Sequence, residues 1–129
     1  MYENELGGRV AVCTYVYSCH FGYISKRAQL LNTFDWLCKG LPVRIINDCR
    51  VAPIIRESED GGFLLMLSNM DFDAIDNLKV EINTNVASCV IICQDGTVKN
   101  ADFKIEPNGK LIVNIERIEP WSAVILSDK

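Results

Sequence analysis

The tripeptide Gly40-Leu41-Pro42 divides this chain into two kinds of sequence. Proline cannot continue a helix and glycine readily ends one, so no regular element runs through the break. Ahead of it stand one β-rich run and one helical pattern. Behind it come only short β-patterns separated by turn residues. Such a chain is expected to fold as two regions, 1–41 and 42–129, the second of them a small β-domain.

In the first region, Arg9 to Tyr17 is rich in β-branched and aromatic residues, with apolar side chains on both parities near its start. That pattern predicts a strand covered on both faces. Ser25 is placed to cap a helix reaching Lys39, in which Ala28, Leu30, Leu31, Phe34, Leu37 and Cys38 recur at three- and four-residue steps. Gly40 stands at the position where a C′ glycine ends a helix. One strand and one amphipathic helix make a single βα unit, so 1–41 reads as the strand-helix remnant of an α/β domain. A strand parted from its sheet leaves backbone groups unpaired. Arg9 to Tyr17 is therefore expected to pair with the second region or with its counterpart in a second copy, giving a homo-oligomer.

From Val43 onward the period shortens. Strand patterns cover Val43 to Ile46, Arg50 to Arg56, Phe63 to Asn69, Leu78 to Asn83, Ser88 to Gln94, Val98 to Glu106, Lys110 to Glu116 and Trp121 to Ser127. A spacing of about 8 to 12 residues is that of sandwiches and barrels. The fold class is therefore mainly β: a small antiparallel β-sandwich of about eight strands, preceded by one strand and one amphipathic helix. Leu78 to Ile82 and Leu111 to Ile115 alternate and should each bury one face, whereas Phe63 to Leu67 and Cys89 to Cys93 are apolar throughout and should be central strands or strands covered by a neighbour. Pro53 has no N–H for a ladder, which places its strand at an edge or on a bulge. Asn108-Gly109 predicts a type I′ hairpin turn with positive φ at both residues, and Asp95-Gly96 and Gly61-Gly62 are looser versions of the same signal.

Charge and composition narrow the partners. The formal net charge is −4, with Lys and Arg scattered along the chain, which argues against a nucleic-acid role. No apolar run approaches the roughly 20 residues of a membrane helix, so no membrane partner is expected. Acidic Glu3 and Glu5 stand where a signal peptide would be basic, and the compartment is otherwise open. The six cysteines sit in apolar runs instead of turn-rich loops, so they read as buried free thiols, as in the cytoplasm.

Candidate chemistry is sparse. His20, the single histidine, follows Cys19, but adjacent side chains on an extended segment point apart, so the loop from Ser18 to Tyr23 reads as a connection. Asp71, Asp73 and Asp76 lack the glycine and terminal glutamate of a calcium loop and read as a solvated Asx turn. Glu57, Glu59 and Asp60 read as a hairpin tip. No catalytic, cofactor-binding or metal-binding residue is expected. Trp36 and Trp121 are the candidate ligand-contact aromatics, provided that their rings are exposed, and they come from different halves of the chain.

Gly7 to Val12, Ser25 to Asn32, Asp35-Trp36-Leu37, Leu41 to Ile45, Phe63 to Asn69 and Ile118 to Leu126 together resemble the C-terminal region of bacterial β-galactosidase-like glycoside hydrolases of family 42. The resemblance implies that a strand and helix close an amidotransferase-like domain, and that a small β-sandwich ends the chain. It also implies a non-catalytic accessory domain whose partners are the upstream domains of a parent glycoside hydrolase, since that family's catalytic carboxylates lie in an upstream barrel. The alternative is a carbohydrate-binding module that uses surface aromatics.

Overall fold

The computed structural model describes residues 1–12, 24–59, 62–84 and 88–128. The chain divides into two compact units, Met1–Leu41 and Pro42–Lys129.

The first unit holds strands β1 (Tyr2–Glu3) and β2 (Arg9–Val10) and helix α1 (Ile24–Leu37). β1 and β2 form an antiparallel hairpin closed by bonds from the Asn4 N–H to the Gly8 carbonyl and from the Gly7 N–H to the Asn4 carbonyl, each 2.9 Å. Gly7 takes φ 79°, which glycine adopts without strain. The strand expected from Arg9 to Tyr17 is described only as far as Val12; its remainder, with Cys13, Cys19 and His20, lies outside the described residues. What is described departs from the expectation. β2 pairs with the chain's own Tyr2–Glu3, and Val10 and Val12 are exposed instead of covered on both faces. The acidic start of the chain supplies this partner because Asn4 to Gly7 can close a tight turn.

α1 also differs at both ends. It begins at Ile24, so Ser25 lies within the first turn and does not cap it. At the far end the Gly40 N–H donates to the Asp35 carbonyl (2.8 Å) and the Lys39 N–H to that of Trp36 (3.3 Å). This is a Schellman ending, whose left-handed residue is Lys39 at φ 59°, one position before the expected glycine. The apolar face is not buried within the chain: Ala28, Phe34 and Cys38 are exposed.

The second unit is a β-sandwich. Its strands are β3 (Val43–Ile45), β4 (Val51–Glu57), β5 (Phe63–Asn69), β6 (Ile75–Ile82), β7 (Val90–Ile92), β8 (Val98–Asn100), β9 (Asp102–Ile105), β10 (Leu111–Ile118) and β11 (Ala123–Ser127). They form a four-stranded sheet ordered β3-β6-β10-β9 and a five-stranded sheet ordered β4-β5-β11-β7-β8, antiparallel throughout. β4 with Pro53 is an edge, and β5 and β7 are interior strands, as their patterns predict. One sheet contributes Leu78, Val80, Ile82, Leu111, Val113 and Ile115 to the core; the other contributes Phe63, Leu65, Leu67, Val124 and Leu126. Each of these inward side chains is worth about 1.5 to 3 kcal/mol of burial.

Three local features depart from the simple pattern. Val98 to Glu106 is two strands in different sheets, because the Ala101 N–H donates to the Cys89 carbonyl (3.0 Å) at the crossing and its small side chain packs against the core. β6 starts at Ile75 instead of Leu78, because Asn77 at φ 53° breaks the two-residue period and lets Ile75 and Leu78 share the core face. The third is the turn at Asn108-Gly109, where only Gly109 has positive φ (82°). The Gly109 N–H donates to the Glu106 carbonyl and the Glu106 N–H to that of Lys110, both 2.9 Å, which makes a three-residue loop with a bulge glycine. Pro107 explains the choice: in a two-residue turn it would have to give a ladder N–H that it lacks. The turn at Gly96 has the same bonds, and the Thr97 N–H on Asp95 holds that carboxyl below its usual value.

Among the described residues no disulfide is formed, and the burial of the cysteines is uneven. Cys38 is exposed, Cys49 and Cys93 are half-buried, and Cys89 is buried. Only Cys89 is fully the buried thiol that the sequence suggests; burial and the Asp128 carboxylate push it up to about 11. Alkylation of the native protein at neutral pH, followed by mass spectrometry, should modify Cys38 well before Cys89, and Cys89 only as fast as the sandwich unfolds. Prompt labelling of Cys89 would contradict the core described.

Candidate functional site

Phe63, Leu65, Leu67 and Asn69 share one parity of β5, so the alternation that points three apolar side chains inward also buries a polar amide. Asn69 is 1% exposed, the one buried polar residue among those described. Its place is tolerable because both ends of its amide are hydrogen-bonded. Nδ2 donates to the carbonyls of Asp73 (2.9 Å), Ile118 (3.2 Å) and Glu119 (3.2 Å), and Oδ1 accepts the Asp71 N–H at 2.8 Å. The Asn69 backbone N–H donates to the Ser122 carbonyl at 2.9 Å. One side chain thus ties the loop 70–74 to the turn 119–122.

That turn is unusual. The Ser122 N–H and Oγ both donate to the Glu119 carbonyl, at 3.2 and 2.7 Å, with Pro120 and Trp121 at the two central positions. Trp121 has φ 55°, in a place where glycine or asparagine is the ordinary occupant. A bulky side chain in the left-handed region is held there against its own preference. The two tethered segments carry Phe72 and Trp121, 78% and 61% exposed, with ring centroids 5.4 Å apart and planes at 80°. They form an edge-to-face pair on the surface, and Met70, half exposed, belongs to the same loop as Phe72. Arg117 braces the approach through Glu119 (2.7 Å) and Asp76 (2.8 Å).

The two tryptophans have different surroundings. Trp121 is exposed at the end of the sandwich, ahead of β11 and not within it. Trp36 belongs to the other unit, where the Arg9 guanidinium lies 5.0 Å from its ring centroid and donates to its carbonyl at 2.6 Å, while Arg9 Nε holds Glu3 at 2.8 Å. One ring face is thereby covered by a cation that also joins the hairpin to the end of α1. Phe72 stands where the sequence reading missed it. Its signal was an aromatic flanked by Asp71 and Asp73 in a polar turn, where no core position exists.

The acidic positions do what a solvated loop requires. The Phe72 N–H bonds Asp71 Oδ1 at 3.0 Å, Asp73 gives its carbonyl to Asn69, and Asp76 pairs with Arg117. Asp60, Cys19, His20, Tyr15 and Tyr17 lie outside the described residues. No group of three or more His, Cys, Asp or Glu side chains among the described residues could hold a metal ion, and none of their helices is long and apolar enough to cross a membrane. No known family model matches the chain, and comparison with curated proteins finds none similar to it.

The left-handed backbone at Trp121 gives a clean test. Trp121→Gly and Trp121→Ala remove the same ring, so their difference isolates the backbone cost, and the glycine variant should be more stable by about 1 to 2 kcal/mol in urea unfolding. Equal stabilities, or a more stable alanine variant, would contradict the turn described.

Proposed function

We propose that residues 42–129 serve as a non-catalytic accessory domain of a larger carbohydrate-active protein, of the glycoside hydrolase kind that the sequence resembles, and that the domain engages sugar at Phe72 and Trp121. The observation that carries this reading is the exposed edge-to-face pair held by Asn69. A pyranose presents a face of C–H groups that stacks on an aromatic ring, and rings fixed before binding lose little freedom when the sugar arrives. A strained backbone under an exposed tryptophan has a rationale when the ring works at the surface.

Calorimetry of the whole chain against galactosides and plant oligosaccharides should give saturable heats. Trp121→Ala or Phe72→Ala should weaken binding by at least about tenfold, roughly 1.4 kcal/mol, with the fold retained because both rings are largely exposed. A flat titration with every sugar would overturn sugar binding at this edge.

A second reading, a purely structural accessory role against the upstream domains of a parent protein, draws on the first unit. None of its described residues is buried, and Leu6, Val12 and Phe34 present apolar surface. Such a unit gains stability when another body covers it. If a second copy provides that cover, light scattering over a dilution series should show a concentration-dependent mass; a uniform monomer would exclude pairing between copies.

A further inference from the structure

Along each strand of the five-stranded sheet, side chains point alternately into the core and away from it. With Leu65, Leu67, Val124 and Leu126 inside, Met66 and Ile125 lie on the outer face. The ladder registers carry that position across the whole sheet: Ile54 pairs with Met66, Met66 with Ile125, Ile125 with Ile92, and Ile92 with Val98. One row of apolar side chains thus crosses every strand. Ile54 and Val98, at its two ends, are 47% and 60% exposed, and the three between them are half-buried. The row on one side, from Arg56 through Leu64 to Asn100, holds a single charge, and Ala52, Ser68 and Ala123 on the other side hold none.

The outer face of the four-stranded sheet is built the opposite way. Arg44 pairs with Glu81, Lys79 and Asp102 flank Asn114, and Lys110 holds Glu81 at 2.7 Å. Interspersed charges of both signs suit a solvated face. The apolar face spans about 24 by 17 Å, roughly 400 Å², from the ordinary strand spacing and rise. Exposed apolar patches of that size commonly serve an interaction.

The face matches a second copy of itself. β11 is the middle strand of the five, so a two-fold axis along it turns the row end for end. Ile54 then lies over Val98 of the second copy, Met66 over Ile92, and Ile125 over Ile125. Arg56 falls over Asn100 and not over its own counterpart, so no like charges meet. The edges of this sheet, by contrast, are poor templates for a further strand. The Met70 N–H donates to the Arg50 carbonyl and the Ser58 N–H to that of Gly62, which turns the backbone groups of Val51, Pro53 and Ile55 to the free side of β4. Pro53 has no N–H to give there, and β8 at the other edge is three residues long.

From these features we infer that the outer face of the five-stranded sheet pairs with the same face of a second copy, as a two-fold symmetric dimer with the strands aligned within about 30°. A standard interface buries about 800 Å² per partner, so a face of this extent gives a reversible dimer that dilution separates. The axis keeps the Ser68 and Ala123 ends of both copies on one side, and with them both Phe72 and Trp121 pairs. The pairing itself does not rest on sugar binding by those rings.

The test is analytical ultracentrifugation of the intact chain from hundreds of micromolar downward, with isotope-filtered NMR on a mixture of labelled and unlabelled chains. Mass should rise with concentration toward twice that of one chain, and contacts between chains should join Ile54 to Val98 and Met66 to Ile92. Ile54→Lys with Val98→Lys should abolish the dimer and retain the fold, because both side chains are exposed on edge strands. Val12→Lys with Phe34→Lys, in the first unit, should leave the dimer unchanged. A uniform monomer at the highest concentration would overturn the inference and leave the face to a different partner. A dimer that survives the lysines on the sheet, or is lost with those in the first unit, would overturn it as well.

Discussion

The buried side-chain amide of Asn69 is the interaction on which the order of one end of the sandwich depends. A polar group on the core face of an interior strand is costly unless it is hydrogen-bonded. Here the amide nitrogen is shared among three carbonyls and the oxygen accepts one N–H, from two segments far apart in sequence. The same bonds that make the amide tolerable also fix where loop 70–74 and turn 119–122 sit. The ladder that ends at Ser68 and Ala123 thus passes its order to two irregular segments, and through them to a pair of rings in solvent.

The sandwich was legible in the sequence where burial is set by parity. Phe63 to Asn69 is bounded as its pattern predicts, and Leu78 to Ile82 and Leu111 to Ile115 turn alternate residues to the core because period two leaves them no other arrangement. The misses have local causes. Asn77 enters the left-handed region and shifts the phase of β6 by one residue, and Ala101 divides one apparent strand between two sheets. Neither is visible in hydrophobic pattern alone. Pro107 could have been read: it denies a two-residue turn the N–H that such a turn needs, which leaves the wider loop with Gly109 at its bulge. Lys39 at the end of α1 occupies a glycine's usual conformation, and a residue-type argument chooses Gly40 instead.

The candidate site was half legible. Trp121 next to Pro120 draws notice in the sequence, but only the three-dimensional turn shows that its backbone is left-handed and its ring exposed. Trp36 draws equal notice and serves a different purpose, since Arg9 covers it and uses its carbonyl to join hairpin to helix. Phe72 was hidden by its charged neighbours. The Phe72 and Trp121 pair arises where regular pairing stops, past the ends of β5 and β10.

If the Asn69 amide holds Phe72 and Trp121 as a fixed pair, the pair must persist in solution with no ligand present. The direct measurement is NMR of the free protein: nuclear Overhauser contacts between the Phe72 ring and the Trp121 indole, with backbone order parameters for Glu119 to Ser122. The account predicts clear ring-to-ring contacts and order parameters near about 0.85, those of a rigid backbone. Absent contacts together with values below about 0.6 would contradict it, because the rings would then be independent and the buried amide would hold nothing in place.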